Sequence, residues 1–488
     1  MPVAVAIPES RASVAHRVFG VPVVLCSLLV CLTFCFCAMR FSDPDLWWHL
    51  ELGKEVWQSH AIPQADHWSF TVYGKPWVAH EWLSQVLLYL VWRVGGYQGL
   101  QFWLCGMASV IVAGVYELCR RYCGNAAVAT LGGSLAFFFG TIGFSIRPQL
   151  IGFALLVVEL LIMERAWRGR PGLLWCLPPL FAIWVNCHGS YALGLGILFA
   201  AALCAWIAYW RTGVRHGPDM PQLARVLASC VGALLINPVG FRLLLYPLDP
   251  FLHEHTSLGF VQEWLPLTTQ DVRGIGLFIV IAGLLVAGLM GWARASAFEL
   301  LVLVPVLFLA IQHTRMVFVF GIICAPIVCR MVATRRQPGK SRPDYIPANV
   351  FLVLLAAFCC YVAFPGAKKI QANVVSHNPA SAVEFIRRSG LQGPMMNDYM
   401  WGGYLIWALP EHKVFVDGRG DVFDWAGVLA KYRDWATVNA DPARLLNEYG
   451  IQLCVLPLSA PEAQVMPHLA GWTKAYSDDV AVVFVRNH

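Results

Sequence analysis

The sequence predicts a polytopic α-helical membrane protein that ends in a small α/β domain. The chain has 488 residues, of which 58% are hydrophobic and 13% are charged, and its mean hydropathy is +0.60. A soluble domain usually carries roughly 25% charged residues, so the apolar excess indicates a chain that is largely embedded in lipid. The composition becomes mixed after about residue 366, which predicts a separate domain at this end of the chain.

Eleven apolar stretches approach the roughly 20 residues that a spanning helix needs. They lie near residues 18–39, 97–118, 125–145, 149–165, 172–186, 190–210, 223–237, 274–291, 297–311, 315–332 and 348–365. The stretch 81–94 is also apolar, but it is short and ends close to Arg93. We therefore predict about 11 transmembrane helices and a juxtamembrane helix over 81–94.

Basic residues decide the predicted orientation, because they concentrate in cytoplasmic loops. With an uncleaved N-terminal anchor and a cytoplasmic N-terminus, every strongly basic loop faces the cytoplasm. These basic residues are Arg11, Arg17, Arg120, Arg121, Arg165, Arg168, Arg170, Arg211, Arg215, Arg225, Arg294, Arg330, Arg335, Arg336, Lys340 and Arg342. The sequence therefore predicts a multi-pass protein of the inner (plasma) membrane. The net charge of +6 sits on short loops and does not indicate nucleic-acid binding.

The same topology gathers polar residues at the outer ends of the spans. They are Asp43, Asp45, His49, Asp66, His80, Glu81, Arg147, Asn186, His188, Asn237, Arg242, His253, Glu254, Glu263, Gln312, His313 and Arg315. Polar groups at a membrane boundary cost free energy, so their accumulation on one face predicts a catalytic or binding site on the extracytoplasmic side.

Two domains follow from these spans. Residues 1–365 are predicted to form the transmembrane domain, with a first outer loop at 40–96, and residues 366–488 an extracytoplasmic α/β domain. Within the second domain, helices are predicted at PASAVEFIRRSG, WGGYLIWAL and DPARLLNEYG, and strands at GPMMND, HKVFVDGR, IQLCVLP and AVVFVR. Asn378 and Asp441 each precede a proline and are predicted to cap helices.

The first outer loop opens with DPDLWWH, which begins at Asp43. Carboxylates two residues apart can share one hard cation, and a single carboxylate beside a hydroxyl group can remove its proton. Alternatively, Asp43 or Asp45 caps a helix over 46–58 that lies on the membrane, with Trp47 and Trp48 as interfacial anchors. Both interpretations stay open. Farther along the loop, His49, Asp66, His80 and Glu81 are candidate substrate-binding residues, with a polar surface loop as the alternative.

Four more candidates lie at the outer ends of later spans. Arg147, Arg242 and Arg315 suit a phosphate or diphosphate group, and contact with lipid headgroups is the alternative for each of them alone. His188, in the segment NCHGSY, is predicted either to contact substrate or to form part of a simple glycine turn.

The densest motif of the C-terminal domain is NDYMWGGYLIW followed by HKVFVDGR. Asp398, Tyr399, Asp417 and Arg419 are its candidate substrate-binding residues. The alternative is a glycine turn with a buried Asp–Arg pair. Nucleotide-binding and protease motifs do not occur. The sixteen cysteines form no CxxC pair, so they are interpreted as small buried hydrophobic residues and not as zinc or redox ligands.

These motifs resemble those of the GT-C-fold glycosyltransferases. DPDLWWHLELGKEV and the following IPQADHWSF are similar to the first loop of the oligosaccharyltransferase catalytic subunit. NDYMWGGYLIW and HKVFVDGR resemble the Trp-Trp-Asp-Tyr-Gly motif of that family and the aspartate that follows it. The chain also resembles uncharacterised bacterial polytopic membrane proteins that share DPDLWWHL and a WGGYLIW…VDGR tail.

The resemblance implies an inverting membrane glycosyltransferase that moves a sugar from a polyprenyl-phosphate or -diphosphate donor to an acceptor on the extracytoplasmic face. It implies catalytic roles for Asp43 and Asp45, with a divalent cation, Mg²⁺ or Mn²⁺, as a candidate ligand of both. Glu254 and Glu263 are candidates for the acid that the family has in a later outer loop. Two alternatives stay open: a lipid or sugar transporter or flippase, and a non-catalytic scaffold whose outer domain binds a partner.

Overall fold

The structure is a computed structural model that describes residues 18–214, 217–246, 262–291, 295–333 and 344–487. Several predicted features lie outside the described residues. They are Arg11, Arg17, Arg215, His253, Glu254, Arg294, and the basic residues Arg335, Arg336, Lys340 and Arg342 of the predicted cytoplasmic linker.

The described chain is mainly helical. The α-helices in chain order are α1 (Val21–Ala38), α2 (Leu46–Ser59), α3 (Trp82–Cys123), α4 (Ala126–Gly140), α5 (Gln149–Trp167), α6 (Leu177–Cys187), α7 (Tyr191–Thr212), α8 (Met220–Ala233), α9 (Arg242–Leu245), α10 (Val272–Leu289), α11 (Ala297–Gln312), α12 (Val317–Ala333), α13 (Ile346–Ala363), α14 (Ala367–His377), α15 (Ala380–Ser389), α16 (Gly402–Ala408), α17 (Gly420–Asp424), α18 (Val428–Ala436), α19 (Pro442–Glu448) and α20 (Pro461–Val465). The strands are β1 (Met395–Asn397), β2 (Leu453–Pro457), β3 (Trp472–Ser477) and β4 (Ala481–Arg486).

Each of the eleven predicted spans overlaps one of these helices. Six helices are long and apolar enough to cross a membrane, so the chain is a multi-pass membrane protein: Val21–Ala38, Trp82–Cys123, Tyr191–Thr212, Val272–Leu289, Thr314–Ala333 and Ile346–Ala363. Helices such as α4, with 15 residues, and α6, with 11, are shorter, so the count of eleven spans stays a prediction. The predicted juxtamembrane helix forms the first part of α3, and Gly96 breaks the helix there with φ 54° and ψ −145°.

Contacts divide the chain into two compact units. Unit 1 contains the described parts of Met1–Arg40, Gln101–Pro247 and Gln262–Pro365. Small residues allow its helices to approach closely, as is common within membranes. Gly132 of α4, for example, lies against the sulfur atoms of Cys119 and Cys329, where an added Cβ atom would overlap them.

Unit 2 contains Phe41–Leu100 and the described part of Gly366–His488. The first outer loop, which the sequence analysis placed in the transmembrane domain, thus belongs to the same unit as the C-terminal segment. Backbone bonds explain this grouping. The Phe70 amide donates to the Val414 carbonyl over 3.2 Å, and the Val414 amide donates to the Trp68 carbonyl over 3.0 Å. The Thr71 hydroxyl donates to the Phe415 carbonyl over 2.7 Å.

Unit 2 also contains a four-stranded sheet in the order β1-β2-β4-β3. Strands β1 and β2 are parallel and pair Met395 with Leu453, while β4 runs antiparallel to both of its neighbours. Strand β2 is apolar and buried over its first four residues, as expected of a central strand. The amphipathic helix α15 buries Ala382, Val383 and Ile386 and packs against β3 and β4.

Three local predictions for unit 2 are wrong. HKVFVDGR is not a strand, because its backbone groups form hydrogen bonds with the first loop and with the side chain of Asn397. Val414 forms only an isolated β-bridge with Ser69. Asn378 does not cap α15; its side-chain amide donates to the Val374 carbonyl at the end of α14. Trp47 and Trp48 are 2% and 8% exposed, so protein packing against α16, and not lipid, covers this face of α2. Asp441 does cap α19, accepting the Ala443 amide over 3.0 Å.

Candidate active site

The two acids of DPDLWWH lie in one tight turn before α2. Oδ1 of Asp43 accepts the Asp45 amide over 3.0 Å, and Oδ1 of Asp45 accepts Nε1 of Trp48 over 3.2 Å. Asp45 directly precedes α2 but makes no side-chain capping bond, whereas Asp43 accepts a backbone amide of the turn that leads into the helix. Asp43 is 9% exposed and Asp45 is half-buried. The turn therefore fixes both acids at defined positions.

Glycines of the C-terminal motif lie directly against this turn. A Cβ atom added to Gly418 would overlap Oδ1 of Asp45, and one added to Gly403 would lie 2.7 Å from the carbonyl oxygen of Pro44. Only a residue without a side chain permits so close an approach. Within unit 2, the structure thus brings together DPDLWWH, the glycine pair of WGGY and the VDGR turn. These motifs are far apart along the chain.

Asp66, Asp417 and Arg419 form a buried ionic cluster. Nη2 of Arg419 lies 2.7 Å from Oδ1 of Asp66 and 2.6 Å from Oδ2 of Asp417, and its Nε donates to Oδ1 of Asp417 over 2.8 Å. The second oxygen of Asp66 accepts the Ser69 hydroxyl over 2.7 Å. All three charged side chains are at most 1% exposed. This geometry matches the alternative of a buried Asp–Arg pair, extended by Asp66 from the first loop.

The Arg419 guanidinium also packs against two neighbouring aromatic rings. Its central carbon lies 4.8 Å from the Trp68 ring centre and 4.7 Å from that of Trp77. Cations are attracted to such ring faces. Burial alone lowers the pKa of Arg419, but the carboxylates of Asp417 and Asp66 outweigh it and raise that pKa above its ordinary value. Arg419 therefore stays charged and holds the first loop to the VDGR turn.

Asp398 and Tyr399 follow β1 in the NDYMW segment. Oδ1 of Asp398 accepts the Met400 amide over 2.9 Å and caps a short 3-10 turn, and the Tyr399 amide donates to the Tyr432 hydroxyl over 2.8 Å. Burial raises the pKa of Asp398 to about 6, against the backbone amides of Met400 and Trp401. Burial likewise raises the pKa of Glu462 to about 7, and the charge of Asp398 acts in the same direction.

These shifts predict a pH-dependent stability. A carboxyl group whose pKa is higher in the folded state supports folding at low pH, and this support disappears as the pH rises through the folded pKa. Unit 2 should thus lose stability between about pH 4 and about pH 7. Asp398→Asn keeps an oxygen acceptor for the Met400 amide and removes the charge. Its thermal midpoint should exceed that of the wild type at about pH 7.5 and approach it at about pH 4. A lower midpoint than wild type at the higher pH would contradict this expectation.

The other first-loop candidates shape unit 2. His49 is 3% exposed, and its Nδ1 lies 2.9 Å from Nε2 of Gln85. Nε2 of His80 lies 3.7 Å from a carboxylate oxygen of Glu81, and Nδ1 of His80 lies 3.3 Å from the Val78 carbonyl. These contacts link α2, the loop and the start of α3.

Unit 1 holds a second polar cluster, in which Arg147 and Arg315 flank the segment at 263–265. Nη1 of Arg147 lies 2.6 Å from Oε1 of Glu263. The Arg315 guanidinium lies 4.5 Å from the Trp264 ring centre, and no ion pair joins it to a carboxylate of the described residues. Nδ1 of His313 lies 2.8 Å from the Trp264 carbonyl. The cluster gives Arg315 a fixed position and leaves it without an acidic partner in the described part of the chain.

His188 and Arg242 lie elsewhere in unit 1. Nδ1 of His188 accepts the Ser190 amide over 3.1 Å, which places the proton of the neutral ring on Nε2. Gly152 of α5 lies against His188 and Ser190. A Cβ atom added to Gly152 would be 2.5 Å from the Ser190 hydroxyl oxygen. Arg242 is exposed at the start of α9.

The predicted cation at Asp43 and Asp45 would have at most two protein carboxylates as ligands. Mg²⁺ is usually bound through one or two carboxylates, and waters or phosphate oxygens complete its coordination. Three or more His, Cys, Asp or Glu residues that lie close together could bind one metal ion. Among the described residues, Cys31, Cys35 and Cys360 form such a group. An ion at the two aspartates would thus need oxygen ligands from water or substrate.

The chain has the GT-C fold of membrane glycosyltransferases. The oligosaccharyltransferase of Archaeoglobus fulgidus in its apo form superposes with a TM-score of 0.55 at 12% identity, over 88% of this chain and 69% of that one. The same enzyme, tethered to an acceptor peptide with the NVT sequon, gives 0.53 at 12% identity, over 95% and 74%. ArnT from Cupriavidus metallidurans, bound to undecaprenyl phosphate, gives 0.49 at 14% identity, over 94% and 97%. No protein-family model and no curated protein matches the sequence.

Several residues of unit 2 escaped the sequence analysis. Asn397 accepts the Phe415 amide over 2.7 Å and donates to the Val416 carbonyl over 2.8 Å, so it fixes the VDGR turn beside β1. Its position, next to Asp398 in a buried strand, was the available signal. Trp68 and Trp77 were harder to identify from the sequence, because their contact is with Arg419, which lies far along the chain.

Proposed function

We propose that the protein is an inverting GT-C-type glycosyltransferase that takes a sugar from a polyprenyl-phosphate or -diphosphate donor on the extracytoplasmic face of the inner membrane. One observation carries the proposal: two acids, Asp43 and Asp45, are held in a fixed turn and follow the last residue of a membrane-spanning helix by five and seven positions, in a chain with the GT-C fold. A lipid-borne donor presents its phosphate at the membrane boundary, and the chain reaches these acids directly after it leaves a span.

The acids supply the base of the proposed reaction. A carboxylate of Asp43 or Asp45 orients the acceptor hydroxyl and takes its proton as the new glycosidic bond forms. The buried Asp66–Arg419–Asp417 cluster does not take part in proton transfer. It holds the first loop against the VDGR turn, and Gly418 of that turn lies against Asp45.

A cation must balance the negative charge that develops on the leaving phosphate. We assign this role to Arg315, which stacks on Trp264 and has no carboxylate partner among the described residues. Arg242 and Nε2 of His188 are further candidates for contact with the donor. Arg147 is already paired with Glu263, so its role is to position the 263–265 segment. A divalent ion held by Asp43 and Asp45 is the alternative source of this positive charge.

Reconstitution tests the function directly. Purified protein in liposomes receives polyprenyl-phosphate and polyprenyl-diphosphate sugars with a labelled sugar, together with a cell-envelope extract as the source of acceptors. The wild type should cleave the sugar from the lipid and transfer it, while the double variant Asp43→Asn with Asp45→Asn should not. Movement of intact lipid-linked sugar across the bilayer, equal in both proteins, would instead indicate a transporter. No turnover by the wild type in any donor series would indicate a scaffold.

The proposed orientation predicts an accessible residue in the C-terminal segment. Ala440 is exposed beside the cap of α19, and its replacement by cysteine should be tolerated. In intact cells whose outer barrier is permeabilised, Ala440→Cys should react with a membrane-impermeant maleimide above the wild-type background. Labelling that appears only after the inner membrane is opened would contradict the extracytoplasmic location.

A further inference from the structure

Three cysteines from two parallel spans meet near one end of unit 1. Cys31 and Cys35 are one helical turn apart on α1, so they share a face, and their sulfur atoms are 3.9 Å apart. Cys360 lies on α13, and the three sulfur atoms are all within 4.8 Å of one another. At the opposite end of this helix pair, Nδ2 of Asn349 donates to the Phe19 carbonyl over 2.7 Å, so the helices run in the same direction.

The spacing of the sulfur atoms suits a small metal ion. A metal–sulfur bond of about 2.3 Å places neighbouring sulfur ligands roughly 3.8 to 4.0 Å apart. The measured Cys31–Cys35 distance already falls in this range, and the third sulfur needs to move by less than about 1 Å. By contrast, ordinary packing of cysteine as a small apolar residue does not require three sulfur atoms from two helices to converge.

The number and type of ligands select the ion. Thiolate ligands favour soft ions such as Cu(I) and Zn(II). Structural zinc almost always takes four ligands, whereas the described residues offer three sulfur atoms and no histidine or carboxylate in this group. Cysteine coordinates a metal ion as the thiolate. Binding of Cu(I) therefore releases one proton to water for each sulfur atom that coordinates the ion.

We propose that Cys31, Cys35 and Cys360 form a Cu(I)-binding site, independent of sugar transfer. Cys35 lies three residues before the end of α1, and Cys360 lies three residues before the end of α13. The site therefore lies about one helical turn from the ends of both helices, and an ion has only this short distance to cross from the membrane boundary. All three side chains are half-buried, so access does not require the spans to separate.

A Cu(I) titration tests the site. Reduced, purified full-length protein competes with a chromophoric Cu(I) chelator, and the bound metal is counted. The wild type should take up one equivalent, and Cys35→Ser and Cys360→Ser should each lose it. Cys359→Ser is the matched control, because Cys359 is the neighbouring exposed cysteine on α13 and lies outside the group; this variant should keep the equivalent.

A second measurement separates loss of ligand from loss of fold. Ag(I), a redox-inert soft ion, should raise the thermal midpoint of the wild type and of Cys359→Ser, but not of Cys31→Ala. Copper X-ray absorption of the wild type should show three sulfur scatterers. The proposal is overturned if the wild type takes up no Cu(I), or if Cys359→Ser loses as much metal as Cys360→Ser. Full uptake by the Cys31→Ala protein would overturn it as well.

Discussion

Gly418→Ala should lower sugar transfer by about 100-fold or more, the range expected when a general base is displaced. The added Cβ atom would overlap Oδ1 of Asp45 and lie 3.3 Å from Nε1 of Trp48, so the Asp45–Trp48 hydrogen bond must break. Gly418 does not have a left-handed backbone conformation, so this clash is the main cost of the change. Overpacking of this kind costs about 1–3 kcal/mol, which should leave unit 2 folded.

Gly366→Ala is the matched control, because a Cβ atom at Gly366 would contact nothing within 4 Å. Rates of sugar release and thermal midpoints are measured for both variants and the wild type. If Gly418→Ala retains full turnover, the position of Asp45 against the VDGR turn is not important for catalysis. If both alanine variants lose activity equally, the effect does not arise from the contact with Asp45.

Arg419→Met should destabilise unit 2 by about 3–5 kcal/mol, because it leaves two buried carboxylates, Asp66 and Asp417, without their cation. The first loop should then separate from the VDGR turn and become sensitive to protease at about pH 7.5. Arg419→Lys should be nearly as harmful, since an ammonium group cannot bind one carboxylate through two nitrogens while a planar group packs against Trp68 and Trp77.

Arg433→Ala provides the comparison. Arg433 and Asp434 form an exposed ion pair in the same unit, with side chains 44% and 48% exposed. Removal of such a pair usually costs at most about 1 kcal/mol. Thermal unfolding followed by limited proteolysis distinguishes the two cases. An Arg419→Met protein that melts like the wild type would show that the buried cluster is not what holds the loop.

Local patterns in the sequence predicted the helical spans, because each span is a continuous apolar stretch whose structure depends on nearby residues. The helix break before the second span also followed from a local feature, the shortness of the segment that ends at Arg93, and Gly96 provides it. The same local approach predicted α2, α16 and α19 and the strands β1, β2 and β4. Strand β3 was missed because WTKAYS alternates weakly and its middle residues are exposed.

Long-range pairing was not predictable from the same patterns. The Thr71 hydroxyl bonds to the Phe415 carbonyl across 344 positions of the chain, and no spacing rule links them. Asp66 and Arg419 were both named as candidate substrate ligands, because polar residues in outer loops usually serve binding. Their mutual contact assigns them a structural role instead. A glycine turn was predicted as one alternative for this motif, but the segment that lies against Gly403 and Gly418, the turn at Pro44 and Asp45, required the structure.

The most direct test of the account compares the initial rates of sugar release from a polyprenyl-phosphate donor by the wild type and by the Asp43→Asn, Asp45→Asn and Arg315→Ala proteins. Asp434→Asn, which changes an exposed acid of the same unit, is the control. We expect at least one of the Asp43 and Asp45 variants to lose about 100-fold or more of the rate. Membrane insertion and folding should be kept, because asparagine retains an oxygen that can accept the Asp45 amide at position 43 and Nε1 of Trp48 at position 45. Full turnover by both of these variants, with none by Arg315→Ala, would contradict this expectation and leave a site that only binds phosphate.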